Sequence, residues 1–156
     1  MSILAVYERA DLRCPQRVLT HLEDIRRTLD ELGVSLSCAD AGAPPDTVSR
    51  THHAHGMPAY QQVEEQLTEA NVFCCGAITR TVLAGQLRLC VGASDWALVI
   101  ALREGDRIAL PANLEQAILP AAGVECRWQD AAADEAALVY HPLTSPVLVG
   151  LLPLDI

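Results

Sequence analysis

The chain contains no lysine, because all 11 basic residues among its 156 are arginines. Without a lysine amine the chain cannot form its own Schiff base with a carbonyl substrate or with pyridoxal phosphate. It also lacks the lysine of a phosphate-binding loop. Twenty acidic residues give a formal net charge of −9, whereas binding to a nucleic acid backbone needs a basic surface. We therefore expect no nucleic acid partner.

Long apolar runs and paired cysteine motifs are also missing. The longest apolar runs, residues 96–102 and 147–152, have the length of strands and are too short to span a membrane. Residues 1–18 carry charges where a signal peptide needs an unbroken apolar stretch. We expect a cytoplasmic location, where all six cysteines are thiols. No Cys-x-x-Cys pair indicates a zinc site or a redox couple.

The first half of the chain opens with a predicted strand at residues 3–7. Thr20 and Glu23 then have the spacing of a capping box, in which the two side chains satisfy each other's backbone donors. Apolar residues follow at helical spacing until Gly33, a typical helix terminator. This pattern predicts a helix over residues 21–32.

Beyond that helix the pattern changes twice. Residues 39–58 are rich in proline, glycine, alanine and serine and predict a loop, and residues 59–70 predict a second, shorter helix. Short β-type runs separated by turn residues then dominate: 77–83, 86–91, 96–102, 107–110, 124–128, 138–141 and 147–152. We predict a mainly β (α+β) fold, with an antiparallel barrel or sandwich at residues 71–156 after a strand and two helices at residues 1–70. Residues 1–156 are expected to form one domain.

One spacing in the second half resembles a motif of the cupin β-barrels. Gly105, Pro111, Asn113 and Gln116 match a Gly-x5-Pro-x-Gly-x2-His pattern, with asparagine for the second glycine and glutamine for the metal-binding histidine. Asparagine tolerates the left-handed backbone that glycine adopts, so the first exchange is physically mild. The second exchange removes a metal ligand.

The other cupin motif, a His-x-His-x3-Glu-x6-Gly pattern, aligns by its final glycine, Gly85. That alignment puts Val72 and Cys74 where the pattern has histidines, and Ile78 where it has glutamate. The two motifs together imply a cupin, or jelly-roll, β-barrel preceded by two N-terminal helices.

Other stretches resemble one branch of the cupins, the bacterial acireductone dioxygenases. The similar stretches are residues 18–25, VLTHLEDI, and residues 103–113, REGDRIALPAN. The resemblance implies a scaffold whose members bind Fe(II) or Ni(II) through three histidines and a glutamate, and cleave an enediol with O2. Here the four matching positions hold other residues: Val72, Cys74, Ile78 and Gln116. Two of these have no donor atom and an amide is a poor ligand, so we expect no metal cofactor.

The same resemblance places Arg80 in the substrate pocket, where a guanidinium holds an enediolate or carboxylate by paired hydrogen bonds. The alternative is a strand arginine in solvent. Cys74 is either a nucleophile or acid–base group at the vacated metal position, or a small buried hydrophobic residue. Gln116 either hydrogen-bonds a ligand or fills the space of a histidine, and Val72 and Ile78 are expected to line the substrate site.

Three histidines lie close together in the predicted loop, at His52, His53 and His55. They form either a replacement metal site, with Cys74 or a carboxylate as a further ligand, or part of a solvated loop. We favour the solvated loop, because a loop without a scaffold does not fix ligand geometry.

Three functions are compatible with these features. We favour a metal-independent enzyme of a biosynthetic pathway that uses Arg80 and Cys74 on a small oxygenated anionic or enediol-like substrate, by proton transfer, isomerisation, cyclisation or dehydration. The second hypothesis is a non-catalytic cupin that binds a small molecule or a protein. The third is a metal-dependent acireductone dioxygenase of methionine salvage with a remodelled site. The favoured hypothesis implies a small-molecule substrate and no membrane partner, and it leaves a homodimer open.

Overall fold

A computed structural model describes residues 2–38, 46–55, 66–93, 95–121 and 125–154, and within them the chain forms twelve strands, one α-helix and two 3-10 turns. The strands are β1 (Ile3–Glu8), β2 (Arg17–Leu19), β3 (Ser35–Cys38), β4 (Val48–His55), β5 (Phe73–Cys74), β6 (Ile78–Ala84), β7 (Gln86–Gly92), β8 (Trp96–Arg103), β9 (Asp106–Leu110), β10 (Glu115–Pro120), β11 (Glu125–Ala132) and β12 (His141–Pro142). Helix α1 spans Leu22–Glu31, and the 3-10 turns span Glu69–Asn71 and Glu135–Leu138. The predicted mainly β fold is confirmed, with one α-helix in the described residues where two were predicted.

The strands form two antiparallel sheets. One sheet has seven strands in the order β12-β5-β10-β7-β8-β1-β2, and the other has five in the order β3-β9-β6-β11-β4. Buried apolar side chains from both sheets and from α1 form one cluster, which is the core of the barrel. Among the strands of the barrel, β10 was not predicted, although it pairs with β7 over six residues.

Strand β8 shows why residues 96–102 form a continuous apolar run. Leu98 and Ile100 belong to the core between the sheets, whereas Val99 belongs to a second buried cluster on the opposite face of the seven-stranded sheet. The C-terminal residues Leu148 and Leu151 cover that face and are fully buried there. A strand that is covered on both faces loses the alternation of apolar and polar residues.

The two C-terminal strand predictions were largely wrong. Residues 147–152 form a turn and an extended tail without a ladder, and the Tyr7 hydroxyl holds the tail by donating to one backbone carbonyl and accepting from one backbone N–H. Buried residues three apart in this segment, rather than two apart, give it a turn-like pattern. Residues 138–141 mostly follow a 3-10 turn, and only His141 belongs to a strand, the two-residue β12.

Helix α1 confirms the prediction of a helix over residues 21–32, but the capping box was wrong. His21 is the N-cap residue, and no side chain caps the helix there. Thr20 therefore lies one position outside the cap, where its hydroxyl does not meet the free backbone donors of the first turn. Glu23 and Asp24 still lie in that turn, where negative charge favours the helix.

The loop predicted at residues 39–58 was wrong in part, because residues 48–55 form β4. This strand pairs with β11 over eight residues, from Val48 opposite Ala132 to His55 opposite Glu125. Its sequence contains few apolar residues, so no alternation marked it as a strand. Residues 39–45 and 56–58 lie outside the described residues. So does most of the predicted helix 59–70, whose described part, residues 66–70, includes only the beginning of a 3-10 turn.

Three residues of the aligned motifs have a left-handed backbone. Gly85 and Gly105 have φ angles of 76° and 91°, and Asn113 has a φ angle of 64°. Asparagine thus adopts the conformation that the motif reserves for glycine, as predicted. The turn at Asn113 leads directly into β10, which carries Gln116.

Candidate functional site

The centre of the site is a buried ion pair between β6, the middle strand of the five-stranded sheet, and its neighbour β11. Arg80 on β6 lies directly opposite Asp130 on β11, and both side chains are fully buried. Arg80 Nε donates to Asp130 Oδ1 at 2.8 Å, and Arg80 Nη2 donates to Oδ2 at 3.0 Å. This two-point geometry neutralises both charges and fixes the plane of each side chain.

The ion pair continues across the barrel to the seven-stranded sheet. Arg80 Nη1 donates to Gln116 Oε1 at 2.8 Å, so the amide nitrogen of Gln116 turns the other way and contacts Cys75 Sγ at 3.6 Å. Burial raises the pKa of the Cys75 thiol. Cys75 is therefore a neutral thiol beside the amide rather than a reactive thiolate.

A second branch runs from Asp130 towards the surface through two aromatic side chains. The Tyr140 hydroxyl donates to Asp130 Oδ2 at 2.6 Å, and its oxygen lies 2.9 Å from His52 Nε2. A hydroxyl has one proton, so Tyr140 must accept from His52, whose Nε2 then carries the hydrogen. The hydrogen bonds thus assign the tautomer of His52, and its Nδ1 carries a lone pair that accepts no hydrogen bond from the residues that the structure describes.

The same environment sets the protonation states of these two residues. Burial lowers the pKa of His52, although Asp130, 3.8 Å from its Nε2, partly opposes the effect. Burial, followed by the hydrogen bond to Asp130, raises the pKa of Tyr140. Near neutral pH the branch is therefore a neutral imidazole, a neutral phenol and a carboxylate paired with a guanidinium.

His52 and Tyr140 form part of the wall of a cavity of about 340 Å³. The His52 ring stacks on Trp128 with ring centres 5.5 Å apart, and Tyr140 meets His52 edge-on at 5.4 Å. Phe73 meets Tyr140 edge-on at 5.3 Å. The remaining wall is contributed by Ala54, Asn71, Ile118, Pro120 and Asp130. The cavity thus combines a largely apolar wall with a few polar groups, which is typical of small-molecule sites.

The structure places the predicted site residues in three different locations. Arg80 and Gln116 contact each other in the barrel interior, but neither belongs to the cavity wall. Ile78 is part of the barrel core. Val72 belongs to the buried cluster on the outer face of the seven-stranded sheet, and Cys74, half-buried, lies opposite His141 on β12.

A shift of one residue explains the placement of Val72 and Cys74. The side chains before β6 that face the site are Phe73, which contacts Tyr140, and Cys75, which contacts Gln116. Because side chains alternate along an extended chain, a register error of one residue exchanges the two faces. In this segment the residues that face the site are therefore Phe73 and Cys75, each one position after a residue that was predicted to do so.

The three histidines of β4 do not share one site. His52 faces the cavity, whereas the side chain of His53 is 59% exposed and lies 3.7 Å from Glu125. Neighbouring residues of a strand point to opposite faces, so these two cannot bind the same ion. The side chain of His55 lies outside the described residues.

The residues around Gln116 do not fit a divalent metal ion. The group within hydrogen-bond distance of its amide oxygen is the Arg80 guanidinium, which would repel a cation placed there. Valine, isoleucine and phenylalanine side chains have no donor atoms. In the described parts of the chain, no three His, Cys, Asp or Glu side chains form a group that could hold a metal.

The sequence did not indicate Asp130 or Tyr140 as site residues, and His52 was predicted only as a metal ligand or as part of a solvated loop. Asp130 was detectable in principle, because a buried arginine needs an anionic partner and β11 offers one. His52 was hidden by its assignment to a loop. Tyr140 lies between a 3-10 turn and a two-residue strand, so no periodic pattern indicated where its ring points.

Among the described residues, no helix is long and apolar enough to cross a membrane.

No protein-family model matches the chain. A segment of 44 residues, 28% of the chain, is 54% identical to an acireductone dioxygenase of Stutzerimonas stutzeri (strain A1501). That segment corresponds to 24% of the relative's length.

The structure is similar to that of an acireductone dioxygenase from Bacillus anthracis with a cadmium ion in its active centre. The TM-score is 0.65 at 11% sequence identity, and the similarity covers 90% of this chain and 97% of the other. The cupin barrel and the resemblance predicted from the motifs are thereby confirmed: the chain has the fold of an acireductone dioxygenase.

Proposed function

We propose that the protein is a metal-independent cupin enzyme that moves protons on a small, enolisable, oxygenated substrate bound in the cavity. The observation that carries the proposal is the chain of hydrogen bonds from Asp130 through Tyr140 to His52, which ends at the cavity wall. A neutral histidine whose orientation is fixed by a carboxylate-bound partner has the properties of a general base.

The proposed step begins when His52 Nδ1 takes a proton from the carbon next to a substrate carbonyl. The C–H bond breaks, its electron pair forms the double bond of an enolate, and the ring becomes an imidazolium. Asp130, 3.8 Å from His52 Nε2, stabilises that positive charge together with the Tyr140 oxygen. Return of the proton to a different atom isomerises the substrate, and its delivery to a departing hydroxyl dehydrates it.

Metal independence is supported by the chemistry of the barrel interior. The Arg80 guanidinium donates to Gln116, the residue that the resemblance aligns with a metal-binding histidine. A fixed cation in that place satisfies Gln116 and Asp130 without an ion from solution. The proposal includes a cytoplasmic location and a role in a biosynthetic pathway.

The buried state of Arg80 changes the role proposed for it. Nε and Nη2 bind Asp130 and Nη1 binds Gln116, so the guanidinium serves as a positioning group for Asp130 rather than as an anion clamp. A network whose hydrogen bonds are satisfied inside the protein also rigidifies a barrel. This property favours the second candidate function, a cupin that binds a small molecule without catalysis.

Exchange of substrate protons with D2O tests the proposal. We would follow hydroxyacetone and cyclohexanone by NMR, using untagged protein with and without EDTA, and compare the wild type with His52→Gln, Tyr140→Phe and His53→Gln. We expect EDTA to have no effect and His52→Gln to slow exchange by about 100-fold or more. Tyr140→Phe should have a smaller effect, because Nδ1 remains available.

His53→Gln is the matched control, because His53 lies on the same strand but faces outward. Exchange that survives His52→Gln, or that EDTA abolishes, would contradict the mechanism. If the wild type binds the probes without exchanging their protons, the enzyme proposal is wrong and the non-catalytic function replaces it.

A further inference from the structure

Asn71 is a polar residue of the cavity wall that the proposed mechanism does not use. It ends the 3-10 turn Glu69–Asn71 immediately before β5 and lines the same cavity as His52. Its backbone N–H donates to the carbonyl of Thr68, which fixes the turn. The residue therefore has a defined position at the cavity.

Two hydrogen bonds fix the orientation of the Asn71 amide. Oδ1 accepts from the backbone N–H of Thr68 at 3.0 Å and from the Thr68 hydroxyl at 3.0 Å. A backbone N–H can bond only to the oxygen of the amide, so the oxygen and nitrogen cannot be interchanged. The NH2 group is consequently the end turned away from Thr68, and it has no hydrogen-bond partner within the described part of the chain.

The charges around the cavity favour an uncharged ligand. No arginine is among the described residues of its wall, and the chain has no lysine. Asp130 is the charged residue of that wall, and both of its oxygens already accept from Arg80 or Tyr140. Among the described residues of that wall an anion would find no uncompensated positive charge, and the net charge of −9 would repel it.

We infer that Asn71 Nδ2 donates a hydrogen bond to the carbonyl oxygen of an uncharged substrate whose neighbouring carbon is deprotonated by His52. The inference rests on the proposed function and names its substrate class: a small uncharged ketone or hydroxyketone with an apolar part that contacts the aromatic wall. As the α-proton leaves, negative charge develops on the carbonyl oxygen. A donor held in place before the reaction stabilises that charge without reorganisation.

The test uses cyclohexanone as an uncharged probe and cyclohexanecarboxylate as an anion with the same ring. Two variants remove the donor in different ways. Asn71→Asp keeps an acceptor for Thr68 and therefore the turn, whereas Asn71→Ala removes the donor without adding charge. Dissociation constants come from NMR titration, proton exchange in D2O gives the rate, and thermal melting checks that each variant folds.

We expect the wild type to bind cyclohexanone at least tenfold more tightly than the carboxylate. Both variants should raise the Kd of cyclohexanone, by about tenfold for one hydrogen bond, and should slow exchange in the bound state. Tighter binding of the carboxylate, or an unchanged Kd in both variants, would overturn the inference, as would wild-type protein that does not bind cyclohexanone.

These outcomes are distinguishable from failure of the proposed function. Exchange that depends on His52 but not on Asn71 contradicts the inference alone. Binding that depends on Asn71 without any proton exchange contradicts the acid–base mechanism, and with it the catalytic part of the inference.

Discussion

Asp130→Asn removes the negative charge that faces Arg80 inside the barrel, where both side chains are fully buried. An asparagine keeps the shape of the carboxylate but leaves a guanidinium without a counter-ion, and an arginine cannot release its proton to escape the penalty. Breaking a buried ion pair from one side costs about 3–5 kcal/mol. For a chain of 156 residues, that loss corresponds to a decrease in Tm of about 6–20 °C.

Removal of the Arg80 side chain should lower the free energy of unfolding by a smaller amount. In Arg80→Met, the Asp130 carboxylate loses two of its three hydrogen bonds and keeps the one from Tyr140. A carboxyl group, unlike a guanidinium, can take up a proton when its counter-ion is lost. Near neutral pH, Arg80→Met should therefore lower the free energy of unfolding by less than Asp130→Asn does.

The double variant Arg80→Met/Asp130→Leu tests whether the two residues act as a unit. Because apolar residues can replace a buried ion pair at little cost, the double variant should be more stable than Asp130→Asn. Urea unfolding followed by circular dichroism gives the free energies, and the cycle is completed with Asp130→Leu. The reasoning is refuted if Asp130→Asn loses less than about 1 kcal/mol, since a buried pair predicts more, or if the two single losses simply add.

Three further predictions concern other parts of the fold. Burial lowers the pKa of His52, so at mildly acidic pH the unfolded chain binds a proton that the folded chain does not. The free energy of unfolding should therefore fall as the pH drops below about 6.5, and His52→Gln should flatten this slope; an unchanged slope in that variant would contradict the prediction. Gly85→Ala should lower the free energy of unfolding in urea more than Gly105→Ala does. A Cβ atom at Gly85 would lie 2.3 Å from a backbone oxygen of β11, whereas a Cβ atom at Gly105, which has a similar φ, would meet open space. The Glu115 carboxylate accepts hydrogen bonds from two backbone N–H groups of the C-terminal segment. Glu115→Ala should therefore lower the free energy of unfolding by about 1.5–3 kcal/mol and speed amide hydrogen exchange at those two groups. Unchanged exchange would contradict this prediction.

Much of the barrel was predictable because its strands carry local signals. β6, β7, β8 and β9 are short β-type runs bounded by turn residues, and their predicted limits lie within one residue of the observed ones. Strand β4 carries no such signal, because its residues are mostly polar and its partner β11 lies far away in the chain. Long-range pairing therefore decides the structure of β4, and with it the position of His52.

Only the part of the site inside the barrel carried a signal in the sequence. Arg80 and Gln116, both singled out by the resemblance, lie in contact in the barrel interior, although neither belongs to the cavity wall. Phe73 and Cys75 were missed because a two-residue strand offers too few positions to establish which face is buried. Tyr140 was missed because its ring is placed by Asp130 and His52 rather than by a regular element.

The site requires an arginine rather than a lysine at position 80. Arg80 binds Asp130 through two nitrogens and Gln116 through the third, an arrangement that needs a planar fork of donors and that a single ammonium cannot provide. With both carboxylate oxygens fixed by that fork, Oδ2 is held where Tyr140 donates to it at 2.6 Å. The tyrosine proton is thereby used in the bond to Asp130. His52 must then donate to the Tyr140 oxygen through Nε2, which leaves Nδ1 unprotonated. The buried cation thus determines which nitrogen of His52 can accept a proton, although it does not itself belong to the cavity wall.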